Sequence, residues 1–163
     1  MLLFFIAQMA AWADSCKTEN TNTMDMSYKV YICNININEE VDFAVNFWNN
    51  MGQDLTIAPG EYNCAKSHPA KGEIFIEFNN EKTKAHDTDT TTTNAVTSIT
   101  KFIANDTVSN SRIYLSTWLL IDRKKFAFVL LHEIGHAVGY EHVSEDCQDY
   151  IMNPFYKTMG IKL

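Results

Sequence analysis

Five residues near the C-terminal end of the 163-residue chain have the types and spacing of a metal site. They are His132, Glu133, His136, Gly139 and His142, within the stretch HEIGHAVGYEH. On an α-helix, residues four apart differ by only about 40° around the axis, so the imidazoles of His132 and His136 can reach one ion. Three neutral imidazoles leave the fourth position of a tetrahedral zinc ion open, as a catalytic site requires. The pattern therefore predicts one Zn²⁺ held by His132, His136 and His142.

Glu133 lies beside the first histidine and is predicted to be a general base. Zinc lowers the pKa of a bound water towards about 7, Glu133 takes the proton, and the nucleophile attacks a carbonyl that the same ion polarises. Glu133 can then pass the proton to the departing amine. This chemistry is amide hydrolysis without a covalent intermediate.

Two glycines interrupt the motif. Gly139 is predicted to end the helix because glycine accepts the left-handed conformation, and the turn would bring His142 back as the third ligand. On a continued helix, His142 would lie on a different face from His136. Gly135 costs about 1 kcal/mol relative to alanine inside a helix, and we attribute it to the close approach of a neighbouring segment.

The elements that must position these residues follow from hydrophobic periodicity. A helix is predicted over residues 126–139, with its apolar side towards the core. A second helix is predicted over 39–51, capped by Asn38, with a buried stripe that ends at Trp48. Strands are predicted over 28–37, 54–58, 72–79 and 111–117. The threonine-rich stretch 81–98 is predicted to be an exposed loop, and residues 95–104 fit a strand or a helix equally well.

The length and the leader set the domain organisation. With 46% hydrophobic residues, the chain has enough apolar material for one domain, predicted over residues 14–163. Residues 1–13 (MLLFFIAQMAAWA) resemble a signal peptide that ends in a small-x-small cleavage site. The alternative, a membrane anchor, needs roughly 20 apolar residues, and this run is shorter. We therefore expect a secreted, extracellular protein without stable membrane insertion.

Four cysteines follow the leader, an even number that predicts two disulfides in an oxidising compartment. Three connectivities are open. A net charge of −7 disfavours nucleic acid as a partner, and we expect a monomer. The disulfide candidates are Cys16, Cys33, Cys64 and Cys147.

The histidine motif, followed by Met152, resembles the zinc-binding and Met-turn signature of the metzincin metallopeptidases. Within that clan, IMNPFY at residues 151–156 is most similar to the Met-turn of the matrixins. The resemblance implies that Met152 is an apolar floor under the histidines, and that Pro154 and Tyr156 form part of the wall of a substrate pocket. It also implies an α+β fold: a twisted, mixed five-stranded sheet with one antiparallel edge strand, an active-site helix and a short C-terminal subdomain.

The function that follows is a secreted zinc endopeptidase whose substrate is a protein or peptide, extended along the sheet edge. The first alternative is a zinc-containing metzincin-like protein that binds a ligand without turnover, although such a protein has no need of the base Glu133. The second is a disulfide-rich inhibitor or structural protein without metal.

Overall fold

The computed structural model shows a five-stranded sheet packed against two longer helices. It describes residues 20, 26–33, 36–60, 62, 64, 68–84, 95–101, 107–147 and 150–153. The elements in chain order are β1 (Ser27–Ile32), α1 (Asn38–Asn50), β2 (Asp54–Ile57), β3 (Glu73–Phe78), α2 (Asn80–Lys84), β4 (Ala95–Lys101), β5 (Val108–Leu115), a 3₁₀ helix (Thr117–Ile121) and α3 (Arg123–Ala137). None of the helices in these ranges is long and apolar enough to cross a bilayer.

The sheet has the strand order β2-β1-β3-β5-β4. β1 pairs in parallel with β2 and β3, and β3 pairs in parallel with β5. β4 runs antiparallel to β5 and, among the described strands, has a neighbour on one side only. The α+β class and the mixed sheet with one antiparallel edge strand are confirmed, and residues 95–104 contain that edge strand.

The core lies between the sheet and the helices α1 and α3. The period-two alternation of β1 buries Tyr28, Val30 and Ile32 on one face. α1 buries its predicted stripe up to Trp48. The sheet and α1 both pack against α3, so this helix is buried on almost every side between Phe126 and Gly135. Its polar surface there is confined to the first histidine of the motif and Glu133.

The helices α1 and α3 begin differently from the prediction. α3 begins at Arg123, three residues before the predicted start, because the Asp122 carboxylate accepts hydrogen bonds from the backbone N–H groups of Lys124 and Lys125. The prediction that Asn38 caps α1 is wrong. Ile37 occupies the N-cap position there, and no side chain caps the helix.

The prediction of a loop over residues 81–98 is wrong at both ends. At the first end, the Asn79 side chain accepts a hydrogen bond from the backbone N–H of Lys82 and starts the short helix α2. At the other end, β4 begins at Ala95. The predicted strand 28–37 is also too long, because β1 ends at Ile32 and Cys33 forms only an isolated bridge to Tyr62.

A disulfide joins Cys33, directly after β1, to Cys64, with Cα atoms 5.6 Å apart. The bridge packs with Phe75 in a small buried cluster separate from the main core. Phe75 points to the opposite face of β3 from Ile74 and Ile76, so the disulfide stabilises the outer face of the sheet. Cys147 is also disulfide-bonded, and Cys16 lies outside the described residues.

Candidate metal centre

The three histidines of the motif converge at the end of α3. The Nε2 atom of His132 lies 3.1 Å from Nε2 of His136 and 3.1 Å from Nε2 of His142, and the last two atoms are 3.0 Å apart. A tetrahedral zinc ion about 2.0–2.1 Å from each nitrogen requires separations of about 3.3 Å, so the triangle has nearly the size of a three-histidine metal site. In the described part of the chain, this is the one group of three or more histidine, cysteine or acidic side chains that could hold a metal ion.

Two backbone carbonyls fix the orientation of the first two rings. His132 Nδ1 donates to the Ile151 carbonyl at 2.6 Å, and His136 Nδ1 donates to the Tyr140 carbonyl at 2.8 Å. A neutral imidazole carries one N–H, so both Nε2 atoms carry lone pairs, and these face each other. Two lone pairs cannot form a hydrogen bond, whereas a cation between them interacts favourably with both. The donor set therefore fits a metal ion bound through Nε2.

Burial favours the neutral form of all three imidazoles. Desolvation lowers the pKa of His132, and it lowers the pKa of His136 to about 4, where the charge of His132 adds a smaller effect in the same direction. The pKa of the more exposed His142 is also lowered by burial. Neutral imidazoles are the form that binds a metal ion.

The turn after α3 brings His142 to the other two histidines. Gly139 has φ = 98°, in the left-handed region, and so ends the helix. The Tyr140 N–H donates to the Gly135 carbonyl at 2.9 Å, and the Gly139 N–H donates to the His136 carbonyl at 3.0 Å. These two bonds form a Schellman motif. The predicted helix stop is confirmed, and the same turn presents the Tyr140 carbonyl to His136.

Gly135 lets two side chains approach the active-site helix α3. A Cβ atom at this position would lie 2.5 Å from Sδ of Met152 and 2.6 Å from Cζ2 of Trp48, so a real side chain does not fit. The segment that carries Met152 is held in turn by Asn153, whose side-chain amide donates to the carbonyls of Ser144 and Glu145. The close approach predicted at Gly135 is confirmed, with Met152 and Trp48 as the neighbours. Pro154 and Tyr156 lie outside the described residues.

Trp48 connects α1 to the site, a role that the sequence did not reveal beyond core packing. Its indole Nε1 donates to the Leu131 carbonyl at 2.8 Å, one residue before His132. Its ring packs against Tyr140 with centroids 4.6 Å apart. The side chain therefore supports both the helix and the turn that follows it.

Glu133 is buried beside the histidines and is held from the edge strand. Its Oε2 atom accepts a hydrogen bond from the hydroxyl of Thr97 on β4. Burial raises the pKa of Glu133 to about 7, and the hydrogen bond from Thr97 lowers it by less. Sequence analysis missed Thr97, because no motif links a threonine in an ambiguous segment to a glutamate 36 residues later.

A cavity of about 220 Å³ lies between β4 and the turn after α3. In its lining, Lys101 Nζ lies 3.9 Å from a carboxylate oxygen of Glu141, in an ion pair between a half-buried lysine and an exposed glutamate. The cavity extends from the histidine cluster along the edge strand. It is lined by Thr97, Ile99, Lys101, Val108, His136, Gly139, Tyr140 and Glu141.

Comparison with known proteins agrees with this geometry. The Matrixin family model matches residues 17–163, most of the chain. Searches of curated proteins and of solved structures find no significant match. The match confirms the resemblance noted in the Met-turn and the histidine motif: the chain belongs to the matrixins, a family of zinc metalloproteases.

Proposed function

We propose that the protein is a secreted endopeptidase that binds one Zn²⁺ through His132, His136 and His142 and uses Glu133 as its general base. The observation that carries the proposal is the convergence of the histidine Nε2 atoms at 3.0 to 3.1 Å, with the lone pairs of His132 and His136 fixed inward by two carbonyls. Such an arrangement is unfavourable without a cation. The buried carboxylate beside it favours catalysis over simple binding.

When bound, zinc supplies Lewis acidity, which polarises a peptide carbonyl and makes water acidic enough to lose a proton near neutral pH. Thr97 holds Oε2 of Glu133, and among the described residues no donor contacts Oε1. Oε1 therefore accepts the proton of the attacking water and later returns it to the nitrogen of the departing amine. A carboxylate whose pKa lies near neutrality can both take and release that proton.

The substrate in this proposal is an extended peptide that pairs with β4 along the side where, among the described strands, it has no neighbour. Backbone hydrogen bonds to an edge strand bind any extended segment, and pockets beside the strand select side chains. The cavity next to His136 offers one such pocket. By the family resemblance, Met152 lies under the ligands, and Pro154 and Tyr156 form part of a second pocket.

The test combines metal analysis with peptide cleavage. We expect one zinc per chain and cleavage of unfolded protein, with cleavage abolished by a chelator and restored by added zinc. Glu133→Gln should retain zinc and lose at least about 10²-fold in kcat, because only the base is removed. His142→Ala should lose both zinc and activity, and His68→Ala, an exposed histidine away from the cluster, should lose neither.

Two results would count against this function. Cleavage that persists in Glu133→Gln and in chelator would exclude the mechanism. Zinc binding with saturable peptide binding but no product would support the non-catalytic alternative.

Export and processing complete the proposal. Cleavage after Ala13 leaves residues 14–163 as one domain, and the Cys33–Cys64 disulfide is consistent with an oxidising compartment. Since Cys33 pairs with Cys64 and Cys147 is also bonded, we propose Cys16 as its partner in this four-cysteine chain. Mass spectrometry of the secreted protein should show Asp14 as the first residue and a linked pair of peptides that contain Cys16 and Cys147.

A further inference from the structure

The 3₁₀ helix before α3 exposes three large apolar side chains. Trp118 is 66% exposed, Leu120 48% and Ile121 78%, and we name these three residues the apolar ridge. Leu119, between them, is only 1% exposed and anchors the turn in the core. The ridge is therefore held in a fixed position with its apolar side chains towards solvent. The mechanism makes no use of it.

The longest run of basic residues in the chain begins at Arg123, and only Asp122 separates it from the ridge. Arg123, Lys124 and Lys125 are all exposed, in a protein with a net charge of −7. Arg123 Nε donates to a Glu40 carboxylate oxygen at 2.7 Å, and the Asp122 carboxylate caps α3. Among the described residues, no acidic side chain forms an ion pair with Lys124 or Lys125. Two available ammonium groups therefore stand beside three exposed apolar side chains.

We propose that the apolar ridge, together with Lys124 and Lys125, docks the protein on an anionic lipid surface. Tryptophan and aliphatic side chains enter the boundary between headgroups and acyl chains, and adjacent lysines bind the negative headgroups. Because the rest of the molecule is acidic, an anionic surface repels it elsewhere, which fixes the docking orientation. This inference concerns binding alone and does not depend on the proposed peptidase activity.

The size of the ridge favours a lipid over a protein partner. Three side chains exposed to this extent present on the order of 350 Å², whereas a stable protein interface buries about 800 Å² on each partner. A lipid surface needs no complementary area, because each apolar side chain inserts independently. The same comparison argues against a dimer through this face.

The location of the ridge leaves the metal site accessible. The ridge precedes the N-terminal end of α3, while His136 lies in the last turn of that helix. Eleven residues separate Lys125 from His136, about 16 Å along the helix axis. A protein docked through the ridge keeps its cleft away from the bilayer and facing proteins near the surface.

The test measures binding of the purified protein to vesicles of phosphatidylcholine alone and of phosphatidylcholine with phosphatidylserine, by sedimentation. Residues 1–13 should be absent or identical in every variant. We expect binding to the anionic vesicles that weakens with salt. Each lysine near an anionic surface strengthens binding about fivefold, so Lys124→Glu with Lys125→Glu should weaken it at least about 20-fold. Trp118→Ser with Ile121→Ser should weaken it at least tenfold.

Matched variants control for charge and for apolar surface. Lys29→Glu with Lys71→Glu makes the same change in net charge near the N-terminal ends of β1 and β3, whereas the ridge follows the C-terminal end of β5. This control variant should change vesicle binding less than twofold. Met51→Ser removes an exposed apolar side chain elsewhere and should also have little effect. The fluorescence of Trp118, taken as the difference between the wild type and Trp118→Phe, should shift to the blue when anionic vesicles are added.

Three outcomes would overturn the proposal. The first is a wild type that does not bind anionic vesicles at 0.1 M salt. The second is binding of the ridge and lysine variants that equals binding of the wild type. The third is a dimer, seen by sedimentation velocity, that Trp118→Ser abolishes. The last result would assign the ridge to self-association instead.

Discussion

The hydroxyl of Thr97, on the edge strand β4, donates a hydrogen bond to Oε2 of Glu133, on the active-site helix α3. This bond holds one carboxylate oxygen of Glu133, and it connects the strand that would bind the substrate to the residue that would move the proton. Glu133 is buried, with only 8% of its surface exposed. Thr97 therefore positions the carboxylate that we propose as the general base.

Replacing Thr97 tests that role. Thr97→Val keeps the shape and strand propensity but leaves the carboxylate without its donor, and hydrogen bonds to charged groups contribute about 1.5–3 kcal/mol. We expect kcat to fall about 10- to 100-fold, with KM and zinc content nearly unchanged. Thr97→Ser retains the hydroxyl and should recover most of the rate. Equal losses in both variants, or loss of zinc, would mean that the side chain acts on structure alone.

Gly135→Ala should destabilise the protein although alanine favours helices by about 1 kcal/mol. The added Cβ would meet Met152 and Trp48 at 2.5 and 2.6 Å, and overpacking of a core costs about 1–3 kcal/mol. Urea denaturation should therefore show a net loss of stability. In a double-mutant cycle, Met152→Ala should relieve part of the cost. A stabilised Gly135→Ala variant would show that the contact relaxes freely.

The stability of the metal-free protein should depend on pH through its three site histidines and through Glu133, which acts in the opposite direction. The pKa of His136 is lowered to about 4, so its contribution is present above about 6.5 and is lost as the pH falls through 4. The pKa of Glu133 is raised to about 7, so its contribution is present below about 4.5 and is lost as the pH rises through 7. Between these limits the two contributions oppose each other.

Glu133→Gln removes the group whose contribution to stability opposes that of the histidines. The metal-free variant should gain stability more steeply than the wild type as the pH rises from about 4.5 to 6.5, because the histidine contribution is no longer offset. Urea denaturation in chelator at several pH values measures the slopes. Parallel curves for the two proteins would show that Glu133 has no raised pKa in the folded protein.

Removing the Cys33–Cys64 disulfide should lower stability without affecting the metal site. The two residues are 31 apart in sequence, and cross-links of that span contribute about 3–4 kcal/mol, largely through the unfolded state. Cys33→Ala with Cys64→Ala should show this loss in urea, with zinc content unchanged because the bridge lies on the outer face of the sheet. Loss of zinc in this variant would contradict that separation.

The sequence predicted the parts of the site that depend on local geometry. The spacing of His132 and His136 follows from the helical repeat, and the stop at Gly139 follows from the backbone freedom of glycine. Both are properties of a few consecutive residues. For the same reason, the stripe of α1 was predicted with nearly correct bounds, and the alternation of β1 was predicted correctly although the strand ends at Ile32, earlier than predicted.

Features that depend on contacts distant in sequence were not predicted. Thr97 meets Glu133 only because β4 crosses beside α3, and the Ile151 carbonyl reaches His132 only after the chain turns back. The failure at Asn38 has a different cause. A residue of the right type occurs there, but the buried side chain of Ile37 sets where α1 begins, and tertiary packing overrides the local capping preference.

Among the described strands, β4 has a neighbour on one side only, and the backbone groups on its other side can pair with an extended chain, including another copy of the protein. The register shift between Thr100 and Lys101 interrupts the regular ladder at one end of that strand, and the Lys101 ammonium lies beside it. A bulge and a lysine are both features that oppose the growth of aggregated sheets from an edge. The regular part of the strand, residues 95–100, therefore limits pairing to about six residues, and the bulge and the lysine oppose the extension of that pairing.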